Sequence, residues 1–272
     1  MIPLYRFGLF GGLGDVIIQS YPLLPYIYAK SHLEPIIVVV GDYICKDSPT
    51  LFDNFGPHLR VVKTTDLHPD KKLLRTNIEA YENLYLAHTI GEMSLTQVEV
   101  FPHGKIPLTN GEPPQRKLTI AERDLVTYCK GKPTICIANY ARQEDRCVDK
   151  FVITNLMQAY PKHQFIQIGK GNTNAKFYLE GNARVRNAVD ITSVQGALSI
   201  IDACEKLICV DSAFMCYGMK KGKAMDVVIN NPEMPKYGFQ DKTLRRPYFE
   251  CFDFPRTLVY NNKLQLLNKR TS

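Results

Sequence analysis

The sequence predicts an α/β protein made of two parallel-sheet domains that face a cleft. Three observations point there: short β-branched runs alternate with helical patterns, the alternation occurs twice, and a stretch rich in proline and glycine separates the two series. A chain of 272 residues, 45% hydrophobic and 22% charged, has enough apolar mass for two compact cores and lies outside disordered and fibrous compositions.

In the first series, Leu4 to Phe10 reads as an apolar strand, followed by a glycine turn and a helix from about Asp15 to Ala29. Ile36 to Val40 is too β-branched and too short for anything but a buried strand. A third strand is expected at 60–63 and a helix over Lys72 to His88. Between Phe101 and Lys117, four prolines and two glycines make regular structure unfavourable, so the stretch reads as a linker between domains 1–117 and 118–272. Thr119 and Glu122 then have capping-box spacing and open a helix that Gly131 closes. The second series runs through strand 134–138, helix 150–160, strand 164–168, a helix near 174–180 and a short strand near Val185. Thr192 and Gln195 suggest another capping box, opening a helix to about Glu205; strand 206–210, a short helix and strand 226–229 follow. The end, from Asn261, suggests a short helix.

Residues 1–130 carry 13 Lys+Arg and 14 Asp+Glu, while residues 131–272 carry 21 and 13, so the net charge of +7 resides in the second half. That imbalance favours an anionic partner: a nucleotide diphosphate, a nucleic acid backbone or a phosphorylated glycolipid. The eight cysteines form no Cys-x-x-Cys pair and mostly sit in apolar runs, as reduced thiols packed as small hydrophobes do. No apolar run reaches the roughly 18 residues of a membrane span, and no export signal is readable at the start, so a cytoplasmic protein, or one peripheral to a membrane, is expected.

Two junctions carry candidate chemistry. Gly12, Gly14 and Asp15 lie where strand one meets helix one, at the carboxyl edge of a sheet, where ligands bind in open α/β folds. The spacing matches neither a dinucleotide fingerprint nor a P-loop. Asp15 could complement the helix dipole or act as a general base toward an acceptor hydroxyl. Asp211 and Ser212 end a buried strand and start a helix; they could simply cap it, or bind a diphosphate. Arg142, Arg146, Lys150 and Lys170 follow strands of the same domain and should converge on that edge.

The segment GGLGDVIIQSYPLLPYI (11–27) resembles the opening of the heptosyltransferase-like glycosyltransferases, glycosyltransferase family nine, whose fold is GT-B with two Rossmann-like domains. Residues 189–229 resemble that family's late segment, where a helix and a strand lead to an Asp-[Ser/Thr]-Gly-x-Met-His turn. The resemblance implies that Asp15 is the catalytic base and that Asp211, Ser212, Ala213 and Met215 form the turn holding the donor's phosphates and sugar. It also implies that Arg142, Arg146 or Lys150 supplies the basic residue after the second domain's first strand. Ala213 and Cys216 replace the family's glycine and histidine, and the first domain is short.

The implied reaction is metal-independent, inverting transfer from a nucleotide-diphosphate sugar, a substrate rather than a cofactor, to a hydroxyl of a saccharide or glycolipid. The acceptor-side domain would be 1–117 and the nucleotide-sugar domain 118–272. A DNA acceptor is the alternative, as in phage glycosyltransferases: Lys220, Lys221, Lys223, Arg245, Arg246, Lys269 and Arg270 could meet phosphates, and Tyr237, Phe239, Tyr248 and Phe249 could stack on bases. The departures at 213 and 216 also permit a non-catalytic nucleotide-sugar binder.

Overall fold

A computed structural model describes residues 5–9, 13–20, 24–33, 35–42, 45–67, 85–86, 97–100, 104–107, 115–170, 176–179 and 181–268. The chain divides into two compact units, Met1–Lys117 and Leu118–Ser272.

The first unit holds a parallel sheet of β1 (Tyr5–Leu9), β2 (Ile36–Val40), β3 (Leu59–Lys63) and β4 (Tyr85–Leu86), in the order β3-β2-β1-β4. Ile36, Val38 and Val40 are fully buried, as alternation on a covered strand requires. The expected single helix after β1 is two: α1 (Leu13–Ser20) and α2 (Leu24–Ser31). Pro25 explains the break, because it lacks an N–H and is tolerated only in a first turn. Gly56 passes so close to the end of α2 that a Cβ would stand 2.4 Å from the Ser31 carbonyl oxygen, and its N–H donates to Ser31 Oγ at 2.8 Å. Two further expectations are corrected. Tyr85–Leu86 is a strand, so the expected helix does not run through these two residues, and the rest of its span, 72–84 and 87–88, lies outside the described set. In the proline-rich stretch, β6 (Gly104–Pro107) pairs antiparallel with β5 (Gln97–Val100), since alternate backbone groups suffice for a two-stranded ribbon.

The second unit is a parallel sheet of β7 (Thr134–Ala138), β8 (Gln164–Gln167), β9 (Val185–Asn187), β10 (Lys206–Cys209), β11 (Ala224–Ile229) and β12 (Thr257–Asn261). The spatial order β9-β8-β7-β10-β11-β12 is that of a doubly wound sheet, reversing between β7 and β10. Helices α4 (Ile120–Gly131), α5 (Lys150–Met157), α6 (Val194–Ala203) and α7 (Ala213–Lys220) accompany it, after the single turn α3 (Thr64–Leu67) of the first unit. Ile135, Ile137, Phe165, Ile208, Val210 and Val228 form the core with Val148, Ile153 and Met157. All eight cysteines are free thiols, seven of them buried; burial pushes the Cys251 thiol up to about 12 and that of Cys209 well above its ordinary value.

The capping box of α4 forms as expected: Thr119 Oγ accepts from Glu122 N at 3.2 Å, and Glu122 Oε2 accepts from Thr119 N at 2.8 Å. The cap of α6 is Ser193, not Thr192. Its reciprocal partner comes from another helix, because Glu122 Oε1 accepts from Ser193 N at 2.7 Å and from Ser193 Oγ at 2.6 Å. One buried carboxylate thus joins the starts of α4 and α6. Residues 176–179 are not helical, and neither are residues 261–268 of the C-terminal segment. Instead, residues 265–268 fold back along β12: Leu267 N donates to Val259 O at 2.7 Å, Val259 N to Asn268 Oδ1 at 2.8 Å and Asn261 N to Gln265 O at 3.0 Å. Among the described residues no helix is long and apolar enough to cross a membrane.

Candidate functional site

A doubly wound sheet opens at the carboxyl ends of its strands where the order reverses, because the flanking loops leave in opposite directions there. In the second unit that point lies between β7 and β10. Asp211 follows β10, and Arg146 stands in the loop after β7. The buried carboxylate of Asp211 accepts on Oδ2 from Lys236 Nζ at 2.9 Å and Tyr237 Oη at 3.0 Å, and Arg146 Nη1 stands 3.4 Å from the same oxygen as an ion pair. Ser212 heads α7 without capping it, and its buried Oγ has no hydrogen-bond partner among the described residues. A small pocket beside this group is lined by Arg146, Asp211, Asn230, Asn231, Met234 and Tyr237, among others.

The loops that carry these side chains are fixed from beneath. Asn139, fully buried at the end of β7, donates to Val148 O and Phe177 O, both at 3.0 Å, and accepts from Gln167 at 2.8 Å. Gln167 also donates to Phe177 O and accepts from Leu179 N, so every polar atom of both amides is satisfied. Asn230, just after β11, donates to the carbonyls of Asp145 and Cys147 on either side of Arg146. Arg146 is therefore held by its backbone neighbours as well as by Asp211.

The expected residues fare differently. Gly12 lies outside the described residues; Gly14 and Asp15 occupy the first turn of α1 after β1, and the Asp15 side chain is outside the described set. Arg146, Asp211 and Ser212 come together at one strand edge, and Ala213 starts α7. Arg142 and Lys170 are exposed in the loops after β7 and β8. Lys150 begins α5, its ammonium 5.8 Å from the Phe151 ring. Met215 is fully buried, so its side chain belongs to the core rather than to a binding surface. Lys236 was not expected, because only the fold brings residue 236 to residue 211. Tyr237 and Phe249, expected as stacking surfaces for bases, are buried in an aromatic cluster with Phe252. Arg245 is likewise engaged, donating to Asp253 and to the Tyr237 carbonyl. Tyr248, Lys269 and Arg270 lie outside the described side chains.

A second group of charges sits toward the amino ends of the strands. Lys206 Nζ meets Asp226 Oδ1 at 2.6 Å, and the Tyr160 hydroxyl bonds both. Burial, and then Asp226, push the Tyr160 phenol well above its ordinary value; its hydroxyl donates to Asp226 and accepts from Lys206.

No family model matches the chain, and no curated protein matches it in sequence. Solved structures do. A glycosyl transferase family 9 protein from Veillonella parvula superposes with a TM-score of 0.56 at 10% identity, covering 96% of this chain and 86% of that one. E. coli ADP-heptose lps heptosyltransferase II gives 0.52 at 13% identity, with 93% and 89% covered. The E. coli heptosyltransferase WaaC with ADP gives 0.52 at 11% identity, with 97% and 96% covered. Likeness over nearly whole chains at so low an identity is a likeness of fold, and the chain has the GT-B fold of these glycosyltransferases.

Proposed function

We propose that the chain is an inverting glycosyltransferase that moves a sugar from a nucleotide-diphosphate donor to a hydroxyl of a saccharide or glycolipid, without a metal ion. The observation that carries this reading is the convergence of Arg146, Lys236, Tyr237 and Ser212 around Asp211 at the point where the strand order reverses. In this reading the donor's diphosphate lies on the second unit and Asp15 of the first is the general base. The acceptor oxygen attacks the anomeric carbon, the bond from that carbon to the phosphate oxygen breaks, and the acceptor proton passes to Asp15. The nucleoside diphosphate leaves with the charge that fixed cations and amide donors stabilise. A saccharide acceptor is favoured over DNA because Tyr237 and Phe249 are buried and Arg245 is engaged within the unit.

The test is release of nucleoside diphosphate from a panel of nucleotide sugars, ADP-heptose first, with thermal shift as the binding readout. A ligand that prefers the native state raises the melting temperature according to its affinity. Asp15→Asn should abolish transfer and leave the shift intact; a fully active variant removes Asp15 from the mechanism. A chain that no nucleotide or nucleotide sugar stabilises would end the proposal.

A further inference from the structure

We propose that the amino edge of the second unit's sheet is a docking surface for duplex nucleic acid, held by its phosphates and without regard to base sequence. The surface is separate from the candidate site. Strands of about five residues, at about 3.3 Å each, set it roughly 17 Å from the edge that carries Asp211, so a duplex held there is a tether and not the acceptor.

Parallel strands start at one edge, and in this sheet every start carries a cation within two residues. Across the sheet from β9 to β12 these are Arg184, Lys162, Lys132, Lys206, Lys223 and Arg256. With strands about 4.8 Å apart, the row is about 24 Å long. Lys130, Arg186 and Lys221 flank it. Lys206 is committed to Asp226, and Arg184 and Lys223 donate to the carbonyls of Tyr160 and Asp202. Lys130, Lys132, Lys162, Arg186 and Arg256 are exposed and, among the described residues, make no ion pair. The crowding registers on Lys223, whose ammonium is lowered below the ordinary lysine value by burial first and by Arg256 as well, against the pull of Asp202.

A helix dipole explains a lysine at the end of α4 or α7, but not Arg186 within β9 or Arg256 at the threshold of β12. The carboxylates of this edge are already engaged: Asp226 is buried against Lys206, Glu205 faces His163, Asp202 accepts from the Tyr217 hydroxyl, and Asp253 pairs with Arg245 and Lys242. At the opposite edge the loop after β7 alone sets Glu144, Asp145 and Asp149 against Arg142, Arg146 and Lys150, so the surplus of the second half lies at the strand starts.

A row of charges fits a linear polyanion. Duplex nucleic acid carries one charge per about 1.7 Å of axis, so a row of about 24 Å runs beside about 14 phosphates. The exposed large apolar side chains lie elsewhere in this unit: Ile120, Phe151 and Ile191 stand at helix starts, and Met234, Leu244 and Leu266 follow β11 and β12. Tyr128 and Tyr160 lie under Arg186 and Lys206. A single strand would therefore find no stacking platform here, and a bilayer no apolar anchor. A bilayer on this edge would also turn Asp211 away from any lipid-borne acceptor.

The experiment is fluorescence anisotropy of the full chain with short labelled duplexes of two unrelated sequences, between about 50 and 200 mM salt. Both duplexes should bind alike, with log K falling by about 0.9 per phosphate met for each tenfold rise in salt. Lys132→Gln with Lys162→Gln should weaken binding by about 10- to 100-fold and make the salt slope shallower by about 2. Lys170→Gln with Lys263→Gln, at exposed lysines just after β8 and β12, removes the same charge from the opposite edge and should leave binding within about twofold of the native chain. Both pairs replace exposed side chains and should melt with the native protein. No binding at the lowest salt, equal losses in the two pairs, or tighter binding to phosphatidylglycerol vesicles than to duplex overturns the proposal. None of these outcomes bears on the donor assignment, which nucleotide-sugar binding tests separately.

Discussion

Gly196→Ala should change the sign of its effect according to what occupies position 122. Alanine in a helix is favoured over glycine by about 1 kcal/mol. In the native chain, however, the added Cβ would stand 2.2 Å from Glu122 Oε1, 2.5 Å from Cδ and 2.8 Å from Cγ. The end of the side chain cannot swing aside alone, so the whole carboxylate has to move. Moving it breaks the bonds from Thr119 N, Ser193 N and Ser193 Oγ, at 2.8, 2.7 and 2.6 Å. At about 1 to 1.5 kcal/mol each, the loss is roughly 3 to 4.5 kcal/mol. The net expectation is a destabilisation of about 2 to 3.5 kcal/mol once the helix gain is subtracted. In a Glu122→Ala background the clash is gone, and the same substitution should stabilise by up to about 1 kcal/mol. Urea unfolding of the four proteins, followed by circular dichroism, closes the double-mutant cycle. If Gly196→Ala stabilises the native chain, or destabilises both backgrounds equally, Glu122 does not join the two helices as described.

The same carboxylate should give an acid dependence. Burial alone would raise the Glu122 carboxyl, but hydrogen bonds from Ser193 and Thr119 outweigh it and hold the group below the usual carboxylate range. Its contribution is therefore fully present above the ordinary glutamate value of about 4.3 and is lost as pH falls through the lowered folded value. The stability difference between the native chain and Glu122→Gln, measured by urea unfolding at neutral and acid pH, should shrink in acid; a constant difference would contradict this. At the other edge of the sheet, Asp226→Ala leaves the ammonium of Lys206, 18% exposed, without its anion. A loss of about 3 to 5 kcal/mol is expected, and a melting temperature within a degree or so of the native value would show that the pair carries no such weight.

What was legible in the sequence was what the sequence decides locally. Ile36 to Val40 and Ile135 to Ala138 could hardly be anything but buried strands, and Thr119 with Glu122 announces a helix start within four residues. Asp211 and Ser212 stood out because a charged pair ended an apolar strand. What was hidden depended on partners far along the chain. Ser193 displaced Thr192 as a cap because Glu122, 71 residues earlier, supplies the reciprocal acceptor. The Lys236 contact with Asp211 spans 25 residues and two loops with no periodicity. β12 could have been found, since Thr257–Tyr260 is a run of strand formers, and pairing with β11 adds it to the sheet. The break between α1 and α2 could have been found, since Pro25 is visible in the sequence.

The fold-back of residues 265–268 along β12 has a consequence for the molecule in solution. A border strand with unanswered amides and carbonyls is a template on which another chain can grow, and large parallel sheets are exposed to that hazard. Here Val259 and Asn261 have their outward groups taken by the chain's own next few residues, and Asn268 clips the return in place through the carbonyls of Phe252 and Thr257. The sheet ends in a hem, and this rim offers a stranger little to pair with.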